Sequence, residues 1–302
     1  MVKFRVITDS SCGISQEEAK KLGVTVLPLT LSYKGKDYLD GVNITTDEFY
    51  KMVFEEQKKE GLLQQVKAHF RPGNSVPKTS MVSPAAFEKA MQDAIDDGYI
   101  PVVLPISSVL SGTFNSANIA KDMLEDEEIY VLDSHTALGS VKVMILRLVS
   151  REYETMKDVL DDIDYMVKHI NFYSVPDTLE YLFRGGRLSR VSATVGNILQ
   201  LKPVIQLDRT GKLTPISKQR GLKHAFMKIK ECIEGLPINA EYPFEFGYST
   251  EIKNVETMKE FIKGVLPKDC EINQISPVVG AHVGPGASAF FYISTKEVPD
   301  CK

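Results

Sequence analysis

The sequence has little cysteine and little net charge, and each shortage excludes a class of protein. Its four cysteines lie far apart, form no Cys-x-x-Cys pair and have no histidine at zinc-finger spacing. We therefore expect a reduced, cytoplasmic protein without structural zinc. The formal charge is only −4 and the pI is near 5.8. Because the lysines and arginines are also scattered along the chain, binding to nucleic acid is disfavoured.

Long hydrophobic runs are also missing. The most apolar stretch, Val141 to Val149, is interrupted by Lys142 and Arg147, and Met1 to Asp9 enters a short strand that contains charged side chains. We therefore expect neither a signal peptide nor a membrane-spanning helix, and at most a transient contact with a membrane surface.

The chain does contain enough apolar residues for two folded domains. It has 302 residues, of which 43% are hydrophobic, and at this length a single core usually divides. A helical pattern ends near His169 and the periodicity then changes. We place the boundary there, which gives an N-terminal domain of residues 1–168 and a C-terminal domain of residues 169–302.

The N-terminal half alternates predicted strands with predicted helices. Capping signals at Ser15, Thr45 and Ser83-Pro84 mark the starts of three helices. Three predicted strands end in loops rich in serine, threonine and aspartate, and in an open parallel sheet such loops share the carboxyl edge, where ligands bind. We expect a Rossmann-like parallel layer with a polar rim. The predicted strands are Phe4 to Thr8, Val24 to Leu31, Pro101 to Ile106 and Ile129 to Leu132.

The C-terminal half has fewer strand-helix-strand units and at least one hairpin, whose turn is Asp208 to Gly211. This pattern predicts an α/β domain with a mixed sheet. Its predicted strands are Phe172 to Val175, Pro203 to Leu207, Leu213 to Ile216, Pro243 to Tyr248, Glu271 to Val279 and Ser288 to Ser294. Its predicted helices cover residues 178–183, 190–200, 221–234 and 254–265.

One histidine lies in a segment made mostly of glycine and proline. Residues Gly280 to Ala287 read Gly-Ala-His-Val-Gly-Pro-Gly-Ala. The glycines permit dihedral angles that a Cβ would forbid and let a ligand approach the main chain, while Pro285 restricts the backbone. The pattern favours a loop that presents His282 to a ligand. The alternative is a tight turn with an incidental histidine.

Serine and threonine dominate the other candidate sites. Ser111 precedes Gly112 at a predicted helix start, where hydroxyls and free backbone N–H groups bind anions. An anion site is the simpler hypothesis, but a serine hydrolase of acyl esters using Ser111 and His282 stays open, although Gly-x-Ser-x-Gly is absent. The full set of groups for such a triad is Ser10 or Ser111 as nucleophile, His135 or His282 as base, and Asp9 or Asp133 as orienting carboxylate.

Metal and nucleotide sites have no supporting motif. The aspartates and histidines are separated singles without His-x-His or Glu-x-x-His spacing, and neither a dinucleotide fingerprint nor a P-loop occurs. We propose no metal. Arg187 follows Gly185-Gly186 and suits a phosphate or a carboxylate, and the alternative is an exposed arginine after a helix C-cap.

Six motifs together resemble the DegV family, in an order and spacing that cover nearly the whole chain. The resemblance implies a two-domain α/β protein that holds one long-chain fatty acid, such as palmitate, stearate or oleate, between its domains. It also implies a non-catalytic role as the acyl-carrying subunit of a bacterial fatty-acid kinase, which presents the carboxyl group to a separate ATP-using subunit that makes acyl phosphate. The motifs are Ile7-Thr-Asp-Ser-Ser11, Thr79-Ser80 with Ser83-Pro84, Ser107-Ser-Val-Leu-Ser-Gly-Thr113 with Ser116-Ala117, Leu179-Glu-Tyr-Leu182 with Gly185-Gly-Arg-Leu188, Leu201-Lys-Pro-Val204 and Gly280-Ala-His-Val-Gly-Pro-Gly-Ala287.

The resemblance also assigns roles to residues. It implies that Thr79, Ser111 and His282 hold the carboxylate, and that Arg187 engages the kinase or assists phosphoryl transfer. Hydroxyls and an imidazole can pair a carboxylate that would be costly to bury alone, and the tail supplies affinity at roughly 0.8 kcal/mol per buried CH₂. No cofactor besides the fatty acid is implied. The remaining binding residues carried over are Ser80, Gly112 and Thr113.

The sequence departs from the family pattern in two places. Met81-Val82 stands where a proline usually follows two residues after Thr-Ser, and the polar excursion from Glu55 to Val76 is longer than usual. We expect the first change to reshape the pocket near Thr79 and the second to alter either a surface or a partner interface. A third class also stays open, a sugar-phosphate or polyol-phosphate protein that uses His282 or His135.

Overall fold

The computed structural model describes residues 1–55, 77–125, 128–188 and 201–299. They form three sheets with helices packed against them, which confirms the α/β class. No helix among these residues combines the length and the hydrophobicity that crossing a membrane requires.

The first sheet contains four parallel strands in the order β2-β1-β6-β7, as predicted for a Rossmann-like layer. Its strands alternate with helices whose N-caps are the predicted Ser15, Thr45 and Ser83. The strands of the N-terminal half are β1 (Phe4–Asp9), β2 (Thr25–Leu27), β3 (Thr30–Tyr33), β4 (Lys36–Leu39), β5 (Lys78–Ser80), β6 (Ile100–Val103) and β7 (Tyr130–Val131). Its helices are α1 (Gln16–Leu22), α2 (Thr46–Tyr50), α3 (Pro84–Asp96), α4 (Thr113–Leu124), α5 (Gly139–Ser150) and α6 (Met156–His169).

The prediction of one strand from Val24 to Leu31 is wrong, because the chain changes sheet at Pro28. β2 pairs with β1, whereas β3 pairs antiparallel with β4 and β5 in a separate three-stranded sheet. Proline has no N–H for a ladder hydrogen bond, so a strand breaks readily there. This small sheet matters for the site because β5 carries Thr79.

The third sheet has six strands in the order β10-β9-β8-β13-β11-β12 and is mixed, as predicted. Only the β11 and β12 pair is parallel. The predicted turn closes the β9–β10 hairpin, with the Asp208 N–H donating to the Lys212 carbonyl at 3.0 Å. The strands are β8 (Ile170–Val175), β9 (Leu201–Leu207), β10 (Leu213–Arg220), β11 (Phe244–Tyr248), β12 (Ile272–Gln274) and β13 (Ser288–Ile293). The helices are α7 (Glu180–Arg184), α8 (Gly221–Gly235), α9 (Ile252–Ile262) and α10 (Pro277–Val283).

The predicted strand from Glu271 to Val279 is wrong at its C-terminal end. The strand stops at Gln274, and α10 begins at Pro277. Proline suits the first turn of a helix, where its missing N–H costs nothing. The interpretation of Gly280 to Ala287 as one loop is therefore also corrected, since His282 lies in the last turn of α10 and the loop begins at Gly284.

The apolar core joins the two halves of the chain. One cluster of buried side chains runs from Val6 and Met144 in the N-terminal half to Ile205 and Phe291 in the C-terminal half. The predicted boundary at residues 168 and 169 falls at the end of α6, and the division into domains there stays a prediction. The predicted helix at 190–200 lies outside the described residues, as does most of the excursion from Glu55 to Val76.

Candidate functional site

Both halves of the chain line one apolar cavity with an empty volume of about 640 Å³. Its apolar wall consists of Leu29, Ile106, Leu110, Ala137, Leu138, Phe172, Leu182, Ile205, Leu207, Leu213, Val278, Val279 and Val283. Its polar wall consists of Ser11, Thr79, Ser111, Arg187 and His282.

A hydrogen bond joins the predicted residues Thr79 and His282 across the cavity wall. The Thr79 Oγ1 atom lies 2.7 Å from His282 Nε2, although the two residues are 203 positions apart. β5 holds the threonine through its pairing with β3, and α10 holds the imidazole. The structure thus brings together two residues that the sequence could associate only through the family resemblance.

The His282 imidazole is held closely on its other side. A Cβ on Gly185 would lie 2.2 Å from His282 Nδ1, so the main chain at the end of α7 packs directly on the ring. Nδ1 is buried and has no hydrogen-bond partner among the described residues. Burial, assisted by the positive charge of Arg187, lowers the pKa of His282 to about 4. The imidazole is therefore neutral at neutral pH and offers one unpaired nitrogen.

Ser111 lies two residues before α4 and next to Gly112, the N-cap of that helix. Its hydroxyl shares a 2.8 Å hydrogen bond with the Thr113 hydroxyl and accepts a 3.3 Å bond from the Thr113 N–H. Thr113 is buried, and its hydrogen bonds hold the Ser111 hydroxyl in place. Ser111 lines the cavity, whereas Thr113 does not.

Arg187 is half-buried and reaches the cavity from the segment after α7. Its Nε donates to the Leu110 carbonyl at 3.1 Å, next to Ser111, and its Nη1 donates to the Gly185 carbonyl at 2.5 Å. Among the described residues it forms hydrogen bonds only with these neutral carbonyls and no ion pair with a carboxylate. Burial lowers the pKa of the guanidinium, and an anion in the cavity would reverse that cost.

The other two predicted binding residues lie beside the cavity rather than in its wall. Ser80 is exposed and pairs with Thr30 between β5 and β3. Gly112 is covered by Met81, whose sulfur would lie 2.7 Å from a Cβ at that position. Met81, where we predict a departure from the family pattern, therefore lies beside Gly112 and is 54% exposed.

Two features of the cavity were not predicted as such. Ser11 was part of a quoted motif and a ligand role was not assigned to it, yet it lines the wall. The glycines near His282 make room for specific neighbours, since a Cβ on Gly280 would meet the Tyr50 hydroxyl at 2.5 Å and one on Gly284 would meet the Tyr181 ring at 2.3 Å. In the sequence, the only signal for these close contacts is the presence of glycine at positions 280 and 284.

The groups proposed for a hydrolase do not form a triad. Asp9 accepts hydrogen bonds from the Ser11 and Ile106 N–H groups, and Asp133 accepts from the N–H groups of the Ser108 and His135 loop. Among the described residues, neither carboxylate bonds to His282, and Ser111 bonds to Thr113 instead of the imidazole. These aspartates therefore shape loops. No group of three metal-ligating side chains forms in the described part of the chain.

A family model described as "Uncharacterised protein, DegV family" matches residues 3–62 and 54–295. The chain belongs to the DegV family. A DegV domain-containing protein from Caldanaerobacter subterraneus is 31% identical over 303 residues, covering 97% of this chain and 99% of that protein. One from Clostridium acetobutylicum is 29% identical over 300 residues, covering 97% and 99%.

Solved DegV structures share this fold over almost the whole chain. A DegV family protein from Thermus thermophilus, described as binding fatty acid, matches with a TM-score of 0.83 and 27% identity, over 97% of this chain and 100% of that one. A fatty-acid-binding DegV protein from Streptococcus agalactiae matches with a TM-score of 0.81 and 26% identity, over 98% and 100%. The chain is thus similar to two DegV proteins described as fatty-acid binding.

Proposed function

We propose that this DegV protein binds one long-chain fatty acid in the cavity, with the carboxylate beside Thr79, Ser111 and His282. The observation that carries the proposal is the connected set of polar groups in an otherwise apolar wall. Thr79 bonds to His282, Gly185 touches the imidazole and bonds to Arg187, and Arg187 bonds to the residue before Ser111. A ligand with a carboxylate and an apolar tail would contact both the polar and the apolar part of this wall.

The carboxylate end has the partners that a buried anion needs. Thr79 and Ser111 contribute hydroxyls, and the neutral His282 orients the Thr79 hydroxyl through Nε2. Arg187 contributes a positive charge without a carboxylate partner among the described residues. Hydrogen bonds to a charged acceptor are the stronger ones, and burying a carboxylate without them is costly. These residues orient the ligand.

The tail end accounts for most of the affinity. Thirteen apolar side chains line the cavity, and each buried CH₂ group contributes roughly 0.8 kcal/mol. A short-chain acid would gain too little to offset the cost of desolvating its headgroup. The two DegV relatives described as fatty-acid binding support this assignment, because they match the full length of the chain.

We further propose that the protein does not itself activate the acid. It would present the carboxyl group to a separate, ATP-using fatty-acid kinase subunit in the cytoplasm, with Arg187 near the reacting oxygen. The sequence offers no phosphate-binding loop of its own, and the candidate hydrolase groups are engaged elsewhere. Arg187 lies at the polar end of the cavity, where an acyl phosphate would form.

Native mass spectrometry of the purified protein, followed by lipid extraction, tests the binding proposal. We expect one bound fatty acid per chain and rebinding after delipidation. The proposal fails if delipidated protein takes up neither palmitate nor stearate nor oleate at a stoichiometry of one.

Three variants test whether Ser111 and His282 bind the fatty acid while Arg187 serves acyl-phosphate formation. We expect Ser111→Ala and His282→Ala to weaken fatty-acid retention. Arg187→Ala should retain the acid but slow acyl-phosphate formation when a fatty-acid kinase subunit and ATP are added. Equal loss of lipid in all three variants would contradict the role given to Arg187.

A further inference from the structure

A second pocket, whose wall includes several polar side chains, adjoins the main cavity. It has an empty volume of about 290 Å³ and shares Ser11 and Leu138 with the main cavity as walls. We call it the side pocket. It is lined by Ser11, Cys12, Gly13, Leu138, Gly139, Lys142, Glu245, Gly247, Asn273, Gln274, Ile275, Ser276 and Phe291.

Two hydroxyls in the wall of the side pocket have no partner. Ser11 is 2% exposed and Ser276 is 7% exposed, and neither Oγ forms a hydrogen bond among the described residues. The Ser11 main chain is fixed, because its N–H donates to Asp9 Oδ1 at 3.0 Å. Its hydroxyl lies beside the Asp9 carboxylate and favours the charged form of Asp9, but the two groups do not meet the geometry of a hydrogen bond. Leaving a buried hydroxyl unpaired is costly.

The charged groups of the side pocket already compensate one another. Lys142 Nζ lies 2.9 Å from a Glu18 carboxylate oxygen and 4.0 Å from a Glu245 oxygen. The Asn273 side-chain amide donates a hydrogen bond to Glu245 Oε2 at 2.9 Å. The unpaired groups are therefore neutral hydroxyls, which both donate and accept. The chemistry that suits them is another hydroxyl rather than an anion or a cation.

We propose that the preferred ligand is a long-chain fatty acid that carries a hydroxyl group on its chain, bound where Ser11 separates the cavity from the side pocket. This inference rests on the proposed fatty-acid function. A plain acyl chain leaves the Ser11 hydroxyl unpaired beside apolar methylenes. A chain hydroxyl beside Ser11 gives both groups a partner, whereas the same hydroxyl beside the apolar part of the wall loses its hydrogen bonds.

Binding of delipidated protein to stearic acid and to a panel of monohydroxystearic acids, with the hydroxyl at different carbons, tests the proposal. We expect one positional isomer to bind about tenfold more tightly than the other hydroxylated isomers, as one satisfied hydrogen bond against an unpaired hydroxyl predicts. Ser11→Ala should remove that preference, so that the isomers bind the variant with similar affinities.

Ser140→Ala is the matched control, since the Ser140 hydroxyl is also buried and unpartnered but lines neither space. It should not change the preference. The inference is overturned if all hydroxylated isomers bind more weakly than stearate by the same factor, in the wild type and in Ser11→Ala alike. That result would mean that the side pocket holds only water. Stearate that fails to bind the wild type contradicts the proposed function instead, so the two failures are distinguishable.

Discussion

At the scale of single residues, His282 depends on two neighbours that are remote from it in sequence. Thr79 bonds to one ring nitrogen and Gly185 packs on the other side. The sequence predicts that His282 matters, from the glycines around it, but it contains no local signal for either partner. Only the family resemblance connected Thr79 with His282, because contacts between distant strands and helices are set by the tertiary fold. Ser11 had no assigned role for the same reason.

Replacing Thr79 by valine keeps the shape of the side chain and removes the hydroxyl. We expect fatty-acid affinity to fall by about 1–3 kcal/mol, because the His282 nitrogen and the carboxylate each lose a partner. Displacement of a fluorescent fatty acid measures the change. Thr79→Ser retains the hydroxyl and should keep most of the affinity, and a valine variant that binds as well as the wild type would contradict the role of Thr79.

A bound carboxylate should raise the pKa of His282 from its value of about 4 in the free protein, because a nearby negative charge favours the imidazolium. Binding then takes up protons, so affinity for the carboxylate form increases as the pH falls from the raised pKa toward 4. An NMR titration of the imidazole with and without fatty acid measures this shift. His224, whose Nδ1 bonds to the Arg220 carbonyl outside the cavity, is the control and should not respond to the ligand.

At the scale of elements, α10 is the clearest difference between expectation and structure. Val278 and Val279 continue the pattern of a strand, whereas in the structure Ser276 is the N-cap and Pro277 the first residue of a helix. The helix is stabilised by tertiary contacts, because α10 packs on Phe49 and Tyr50. The Tyr50 hydroxyl also donates to the Ile275 carbonyl at 3.0 Å, just before the helix. Short helices owe their stability to such packing rather than to propensity, so the sequence alone favours the wrong element here.

Gly185 tests how closely α7 and α10 approach. In Gly185→Ala the new methyl group would overlap His282 Nδ1, so we expect a loss of about 1–3 kcal/mol in stability and loss of bound fatty acid. Thermal unfolding and lipid retention measure both effects. Gly235→Ala, where a Cβ meets nothing within 4 Å at the end of α8, is the control and should be neutral or slightly stabilising. If Gly185→Ala retains its lipid, the imidazole can move without weakening fatty-acid binding.

At the scale of the whole molecule, buried charges connect the two halves. Lys142 on α5 faces Glu245 on β11, and both are less than 7% exposed. The sequence predicts both the parallel N-terminal layer and the mixed C-terminal sheet from strand and helix alternation. It does not predict this pair, since Lys142 interrupts an apolar run and reads as a surface position. The three-stranded sheet was missed because its strands come from segments separated by a helix and a long polar excursion.

Glu245 should make the stability of the protein depend on pH. Burial raises its pKa from 4.5 to about 7 against the effect of Lys142, so the folded state binds the proton more tightly than the unfolded state. Its contribution is fully present below pH 4.5 and is lost as the pH rises through about 7, by up to about 3 kcal/mol. Urea denaturation across this range measures the loss.

Glu245→Gln should remove that part of the pH dependence, because the amide does not titrate. Glu17→Gln, the same change at an exposed carboxyl group, should leave the pH profile of the wild type intact. Parallel profiles for the wild type and Glu245→Gln would show that Glu245 does not titrate in this range.

β13 is the last described strand in the chain, yet it lies inside the C-terminal sheet, between β8 and β11. All six of its residues are buried. During synthesis on a ribosome, its neighbours are therefore made before the strand that joins them exists. α10 and its histidine leave the ribosome only a few residues earlier. The cavity wall is thus incomplete until α10 has been made, and His282 is added to it in the same step.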